Sequence, residues 1–503
     1  MLSVILGIYL VPVFSYSQLL SKEEIRQAAE NSLPSSLTDY RSFLQIPNNG
    51  NFEKHRNENV NWCVNTFEKL QFKTRVITSK GIPHVLADRV VKKKYKTILF
   101  YLQIDGQPVD TTKWGQPNPY YPVLKKLENN TWQPVDWEVL ETRFDPNLRI
   151  FARSASDSKG PAMAFITALQ ILNQKSFKPK FNIKVIMDFQ EELGSPTLPP
   201  LVREKPSLFD ADMMLIIDGT RHLSNLPTLT FGARGIATVT LKVFGASRDL
   251  HSGQYGNFAP NPVFKLAKLL AEMKDEEGRV TVPGFYDGVS LSEKERKTIN
   301  NLPEDIEEIK ATLGIAKADH VGSTYQEALQ YPSLNVRGLR AAWVGSEVRT
   351  LVPSEAIAEI DMRLVPETTG ERQVQLLKNY IVSKGYHLVD SIPTAAERST
   401  YEKLIAMDYR IGSRPFRTDM DSDIGKWLGR AMQHIFGNNY VKMRTTGGSQ
   451  PIAPFINTLD IPAVSVRIPN PDNNIHAPNE NMRLGNYLEG IQMCLSIMTK
   501  EFK

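Results

Sequence analysis

Asp105, Asp157, Glu191, Glu192 and Asp218 are carboxylates placed beside the most apolar stretches of this chain. Asp105 closes K-T-I-L-F-Y-L-Q-I-D, Glu191 and Glu192 close F-N-I-K-V-I-M-D-F-Q-E-E, and Asp218 closes M-M-L-I-I-D. Asp157 stands in S-A-S-D-S-K-G-P, directly before a helix-like stretch. Acids gathered at strand ends repel one another and cost desolvation unless a cation neutralises them. His476, in N-N-I-H-A-P-N-E-N, adds an imidazole nitrogen of the kind divalent metals accept. These residue types in this placement point to a hydrolytic centre built on two metal ions.

Positioning such a cluster requires strands that end together. From about Lys22 to Asp218 strand-like and helix-like segments alternate, which predicts a parallel sheet covered by helices. Ligands collect outside the carboxyl ends of such strands, where these acids fall. After Gly160-Pro161 the run A-M-A-F-I-T-A-L-Q-I-L-N-Q has helical spacing, with Pro at a place tolerated in a first turn. The pattern changes near Phe231. I-A-T-V-T-L-K-V-F-G alternates with period two, a strand with one wet face. Further strands are expected at 341–344 and 356–363, and helices at 262–273, 371–383 and 421–436. The strand I-P-A-V-S-V-R-I then returns to α/β character. An α/β catalytic domain, residues 18–229 and 401–503, interrupted by an inserted α+β domain, residues 230–400, is the simplest organisation.

At 503 residues the chain exceeds one ordinary core. A hydrophobic share of 41% and a charged share of 23% are those of a globular protein. A net charge of +5, with no dense basic stripe, excludes a nucleic-acid binder. Cys63 and Cys494 sit in no metal or redox pattern and read as small buried hydrophobes, with one long-range disulfide as the alternative. Met1 to Phe14 is apolar and shorter than a membrane span, with small residues at Ser15 and Ser17. Residues 1–17 are therefore expected to be a signal peptide, and the protein to be secreted or periplasmic, with no stable membrane insertion after its removal.

The ordered series Q-I-D, S-D-S-K-G-P, Q-E-E-L-G-S, I-I-D-G, D-L-H-S-G, M-R-L-V-P, G-G-S and I-H-A-P-N-E resembles the carnosinase, aminoacylase and carboxypeptidase-G group of dinuclear zinc peptidases, closest to its dipeptidase branch. The resemblance implies a zinc-peptidase catalytic domain with a mostly parallel sheet and helices on both faces. It also makes the inserted domain a lid and dimerisation domain of a homodimer. Two divalent ions, zinc before manganese or cobalt, would be held by Asp157 as bridge, Glu192 and His476 on one side and Asp218 on the other. Glu191 would be the general base, since its neighbour Glu192 is held on the metal while Glu191 stays free to take a proton from water. His251 would reach the scissile carbonyl oxygen, often from the partner subunit. Arg363, with Gly447, Gly448 and Ser449, would hold a substrate's terminal carboxylate.

One position departs from the family. Its members carry His two residues before the acid matched by Asp105, and here that residue is Gln103. The family acid normally orients that histidine from behind, and the NH2 of Gln103 could turn toward Asp105 in its place. Gln103 could still turn its carbonyl to a metal. The expected function is hydrolysis of an amide bond beside a free carboxylate in a small peptide. The alternatives are an amidohydrolase acting on N-acyl amino acids, or a binding protein weakened in catalysis by Gln103.

Overall fold

A computed structural model describes residues 19–142, 144–450 and 453–502. Its largest sheet has eight strands. In spatial order they are Lys73–Ser79, Ile82–Arg89, Asn182–Asp188, Thr97–Gln103, Met213–Ile216, Ala463–Arg467, Thr228–Thr230 and Val441–Met443. The central strands run parallel: Thr97–Gln103 pairs in parallel with both Asn182–Asp188 and Met213–Ile216, and the latter with Ala463–Arg467. Antiparallel pairs lie toward the sides.

Side chains alternate across this sheet, as strand geometry requires. Ile98, Phe100 and Leu102 pack into one core with the helices Lys22–Leu44, Lys159–Gln174, Asp423–Phe436 and Leu484–Thr499. Leu99 and Tyr101 point into a second core on the other face, with Leu198, Leu201 and Phe209. Burial on both faces explains why these strands read as continuous apolar runs. Cys63 and Cys494 are buried and free, as expected of small hydrophobes.

A second sheet of five strands follows the order Ser333–Arg340, Glu355–Leu364, Gly235–Phe244, Leu404–Ile411, His387–Val389. Glu355–Leu364 alternates strictly between half-buried and buried residues, and Gly235–Phe244 does so as far as Val243. One face packs on the helices Pro262–Ala271 and Gly370–Ser383, and the other carries polar side chains. The strand expected at 341–344 is absent. Pairing ends at Arg340, and Ala342 takes a φ of +47°, which a strand does not accommodate. Leu404–Ile411 pairs with Gly235–Phe244, so this sheet draws on residues past position 400. A short pairing of Gly232–Ala233 with Phe416–Arg417 lies where the chain passes between the two sheets. Among the described residues no helix is long and apolar enough to cross a membrane.

Candidate metal centre

The parallel strands deliver the acids to one place. Thr97–Gln103 leads into Asp105, Asn182–Asp188 into Glu191 and Glu192, and Met213–Ile216 into Asp218. Asp105 is 2% exposed and accepts hydrogen bonds from the backbone N–H of Glu191 (2.9 Å) and of Glu192 (3.2 Å). It thereby fixes the turn that carries both glutamates. That turn is a 3-10 helix, Glu191–Leu193, closed by Gly194 in the left-handed region at φ +82°.

His476 arrives from the far end of the chain. Its backbone is itself left-handed, at φ +61°, a constrained conformation of the kind found at functional sites. The ring Nε2 lies 2.9 Å from Asp157 Oδ2 and 3.2 Å from Glu192 Oε2. Ligand atoms of Asp157, Glu192 and His476 all fall within 4.8 Å of one another. On the other side of Asp157 the Ser158 hydroxyl lies 3.0 Å from Asp157 Oδ1 and also reaches Asp218 Oδ1. The Asp218 carboxylate further accepts the Gly219 N–H at 2.6 Å. Gly219 has φ +91°, and a Cβ there would collide with the Arg467 guanidinium packed against it.

So many buried acids hold one another's protons. Burial raises Glu191 well above the ordinary carboxylate range, and the charges of Asp218, Asp157, Glu192 and Asp105 add to it. Burial, with Asp157 beside it, lifts Asp218 to about 6 even though Arg467 opposes the shift. Burial, then Asp188 and Glu192, raises Asp105 well above its ordinary value. His476 moves the other way. Hydrogen bonds to Asp157 and Glu192 raise it to about 10, so its ring carries the positive charge these acids demand.

These residues fit a metal. Asp157, Glu192 and His476 form a compact carboxylate and imidazole donor set. For a second ion, Asp157 and Asp218 supply oxygens, and Gln103 comes level with Asp218 when the strand register is continued. Gln103 is 1% exposed, and among the described residues its buried Nε2 finds no hydrogen-bond partner, so the expected contact of its NH2 with Asp105 is not made.

The expected substrate residues lie on the inserted sheet and on a loop facing it. Arg363 Nη1 donates to Ser449 Oγ at 3.2 Å, and Arg363 Nε lies 3.7 Å from Asp361. The Gly447 carbonyl accepts from Arg234 Nε at 3.2 Å. An added Cβ at Gly448 would meet nothing within 4 Å, so that glycine is not required by space. His251 is exposed, its Nδ1 accepting the Gly253 N–H at 3.1 Å, and it makes no hydrogen bond or ion pair with the acid cluster.

Several supporting residues were not singled out from the sequence. Glu480, fully buried, accepts N–H donors from Ser154, Ser156 and Asp157 and pairs with Arg153 at 2.7 Å, which fixes the loop bearing Asp157. Asp188 accepts the Gln190 N–H at 3.1 Å and the hydroxyls of Tyr101 (3.0 Å) and Ser195. It clamps the glutamate turn from behind. Arg234 is half-buried near Arg363, and desolvation together with that like charge lowers it to about 10. The motifs I-H-A-P-N-E and M-D-F-Q-E-E contain Glu480 and Asp188, but nothing in their spacing says which backbone each acid holds.

A buried acid cluster completed by imidazole at the ends of parallel strands defines a metallohydrolase. The chain belongs to peptidase family M20/M25/M40, whose model matches residues 123–500. It is 28% identical to human Beta-Ala-His dipeptidase over 82% of this chain and 76% of that protein. It is 25% identical to the Cys-Gly metallodipeptidase dug1 of Schizosaccharomyces pombe, over 85% of this chain and 94% of that one. Among solved structures, the M20 metallo-carboxypeptidase Sso-CP2 from Sulfolobus solfataricus superposes with a TM-score of 0.74 at 28% identity, covering 92% of this chain and 98% of the other. The chain is thus a dipeptidase-type metallopeptidase, and its family is one of dinuclear metal centres.

These relatives correct one expectation. The Cys-Gly metallodipeptidases matched in fission yeast and two further yeasts count against a secreted or periplasmic protein. The apolar segment 1–17 that suggested export lies outside the described residues. It also has no Lys or Arg ahead of its apolar run, the charge that makes such a run a convincing leader.

Proposed function

We propose that this metallopeptidase hydrolyses the amide bond of small peptides beside a free C-terminal carboxylate, with Glu191 as general base. The observation that carries the reading is the pairing of roles on one turn. Glu192 lies within ligand distance of Asp157 and His476, while Glu191 beside it is half-buried among four acids and proton-avid. Two divalent ions, zinc by the chemistry of the imidazole and carboxylate donors, would be held by Asp157, Glu192 and His476 and by Asp157, Asp218 and Gln103. When bound, they polarise the scissile carbonyl and acidify the attacking water. Glu191 then takes the water's proton and passes it to the departing amine. Asp105 keeps Glu191 aimed by holding the turn's N–H groups. Arg363, steadied by Ser449 and joined by Arg234 and Gly447, orients the substrate through its terminal carboxylate, and Gly448 leaves that seat open.

His251 lies outside this cluster, so its expected role at the carbonyl oxygen needs a second copy of the chain. We infer a homodimer in which residues 230–400, with the strand that follows, form the lid and dimerisation domain. Its surface supports this: Phe258 is 86% exposed, Val344 84% and Phe264 76%. Such large apolar side chains in solvent favour a covering partner. The test is metal-reconstituted protein assayed on free dipeptides, C-terminally amidated dipeptides and N-acyl amino acids. Turnover confined to free dipeptides supports the reading. Preference for N-acyl amino acids, or equal handling of amidated peptides, refutes it.

A further inference from the structure

The cleft between the glutamate turn and the inserted sheet opens into a cavity of about 830 Å³. Among the described residues four arginines line it, Arg203, Arg337, Arg410 and Arg414, and no Asp or Glu does. Arg337 lies 3.4 Å from Glu359 and Arg414 3.7 Å from Glu371, both exposed pairs that hold little energy in water. Arg203 and Arg410 make no ion pair among the described residues. On the same sheet face Asp361 accepts from Asn335 at 2.9 Å, Glu359 accepts from Thr240 at 3.0 Å as well as facing Arg337, and Asp408 stands two residues before Arg410 on its strand without lining the cavity.

The cavity's place is as informative as its charge. Leu193 and Gly194, which form part of its wall, continue the turn that begins with Glu191 and Glu192. Ile236, on the opposite wall, is the cross-strand partner of Arg363. The cavity therefore adjoins both the proposed base and the proposed seat of the terminal carboxylate. Its volume suits a bound small molecule. Two guanidinium groups without acid partners, Arg203 and Arg410, beside two held only by exposed pairs, favour a planar carboxylate they can grip with two N–H groups.

We propose that this cavity receives an acidic side chain on the substrate's C-terminal residue, making the enzyme selective for dipeptides that carry a second carboxylate. The proposal rests on the dipeptidase reading and adds a substrate class to it. Ala-Glu and Ala-Gln, alike in shape and different in charge, are the probes. The parent enzyme is expected to favour Ala-Glu by about tenfold or more in kcat/KM, a factor worth about 1.4 kcal/mol. About 0.5 M salt should erode that ratio, because exposed arginines are screened. In the double variant Arg203→Gln, Arg410→Gln, whose parent side chains are exposed and unpaired, the ratio should fall to near one. Equal rates in the parent, a ratio preserved in the variant, or equal losses on both peptides would overturn the proposal.

If neither peptide is cleaved, the dipeptidase reading fails, and calorimetry then decides the cavity by itself. Binding of L-glutamate in preference to L-glutamine, lost in the double variant, upholds the arginine site. Equal binding of the two amino acids removes it.

Discussion

The two halves of the proposed metal centre meet at Asp157 and differ in nearly everything else. On one side Glu192 and His476 face it, and the imidazole carries the compensating charge, its ring raised to about 10. On the other side stand Asp218, the Ser158 hydroxyl and the neutral amide of Gln103, and compensation comes from outside, from Arg467. The lesson is electrostatic. Where a titratable cation sits among the acids, a metal must displace its proton. Where the neighbours are neutral, a metal need only overcome weaker donors and a hydroxyl already in place. The half with imidazole should hold its ion firmly and with strong pH dependence, and the other half more loosely with little.

The severest way to break this comparison is to remove the group that both halves serve. Glu191→Gln should keep both ions by metal analysis and lose about 10²–10⁴-fold in kcat, the usual scale of general-base catalysis. Near-parental turnover would mean that the roles of Glu191 and Glu192 are assigned wrongly. Gln103→His should make the halves alike. The ion beside Asp218, lost first on dialysis of the parent, should bind about 10–100-fold more tightly, the range known for changes around metal ligands. Zinc and manganese titrations of apoprotein would read this directly. Two equally tight sites in the parent, unchanged by the substitution, would place Gln103 away from the metal.

Acidity sharpens the same contrast. Protonated His476 cannot bind a metal, so affinity at its half should rise about tenfold per pH unit as pH climbs from 7 toward 10. Asp218, raised to about 6, is already ionised across that range, and its half should stay nearly flat. Proton release on metal titration at pH 7 and pH 9 would measure both. The smallest effect is expected outside the centre. Arg363→Lys keeps the charge but loses the two-pronged grip, and should raise KM for free dipeptides by up to about tenfold with kcat little changed. An unchanged KM would show that the fork is dispensable.

How much of this was legible beforehand differs by residue. The strands leading to Asp105, Glu191 and Asp218 announced themselves because both of their faces are buried, which leaves an unbroken apolar run with the acid just after it. The helix after Asp157 and the alternation of Gly235–Phe244 were equally plain. The strand expected at 341–344 was not there, since apolar content alone does not reveal a backbone turned to positive φ at Ala342. Asp188 and Glu480 carried no signal of their own, because an acid that holds backbone N–H groups looks in sequence like any other acid.

By itself, then, the sequence determined the elements, the inventory of acids with one late histidine, and the family to which their order belongs. These are local properties: periodicity, strand ends and residue type. Only the tertiary structure decided that Asp157, Glu192 and His476 come within ligand distance of one another, that Ser158 links Asp157 to Asp218, that His251 stands apart from them, and that four arginines from distant segments meet across one cleft. Those depend on strand order and on how the inserted sheet faces the catalytic one. Contacts between residues hundreds of positions apart are set by packing of whole layers, which no local pattern encodes.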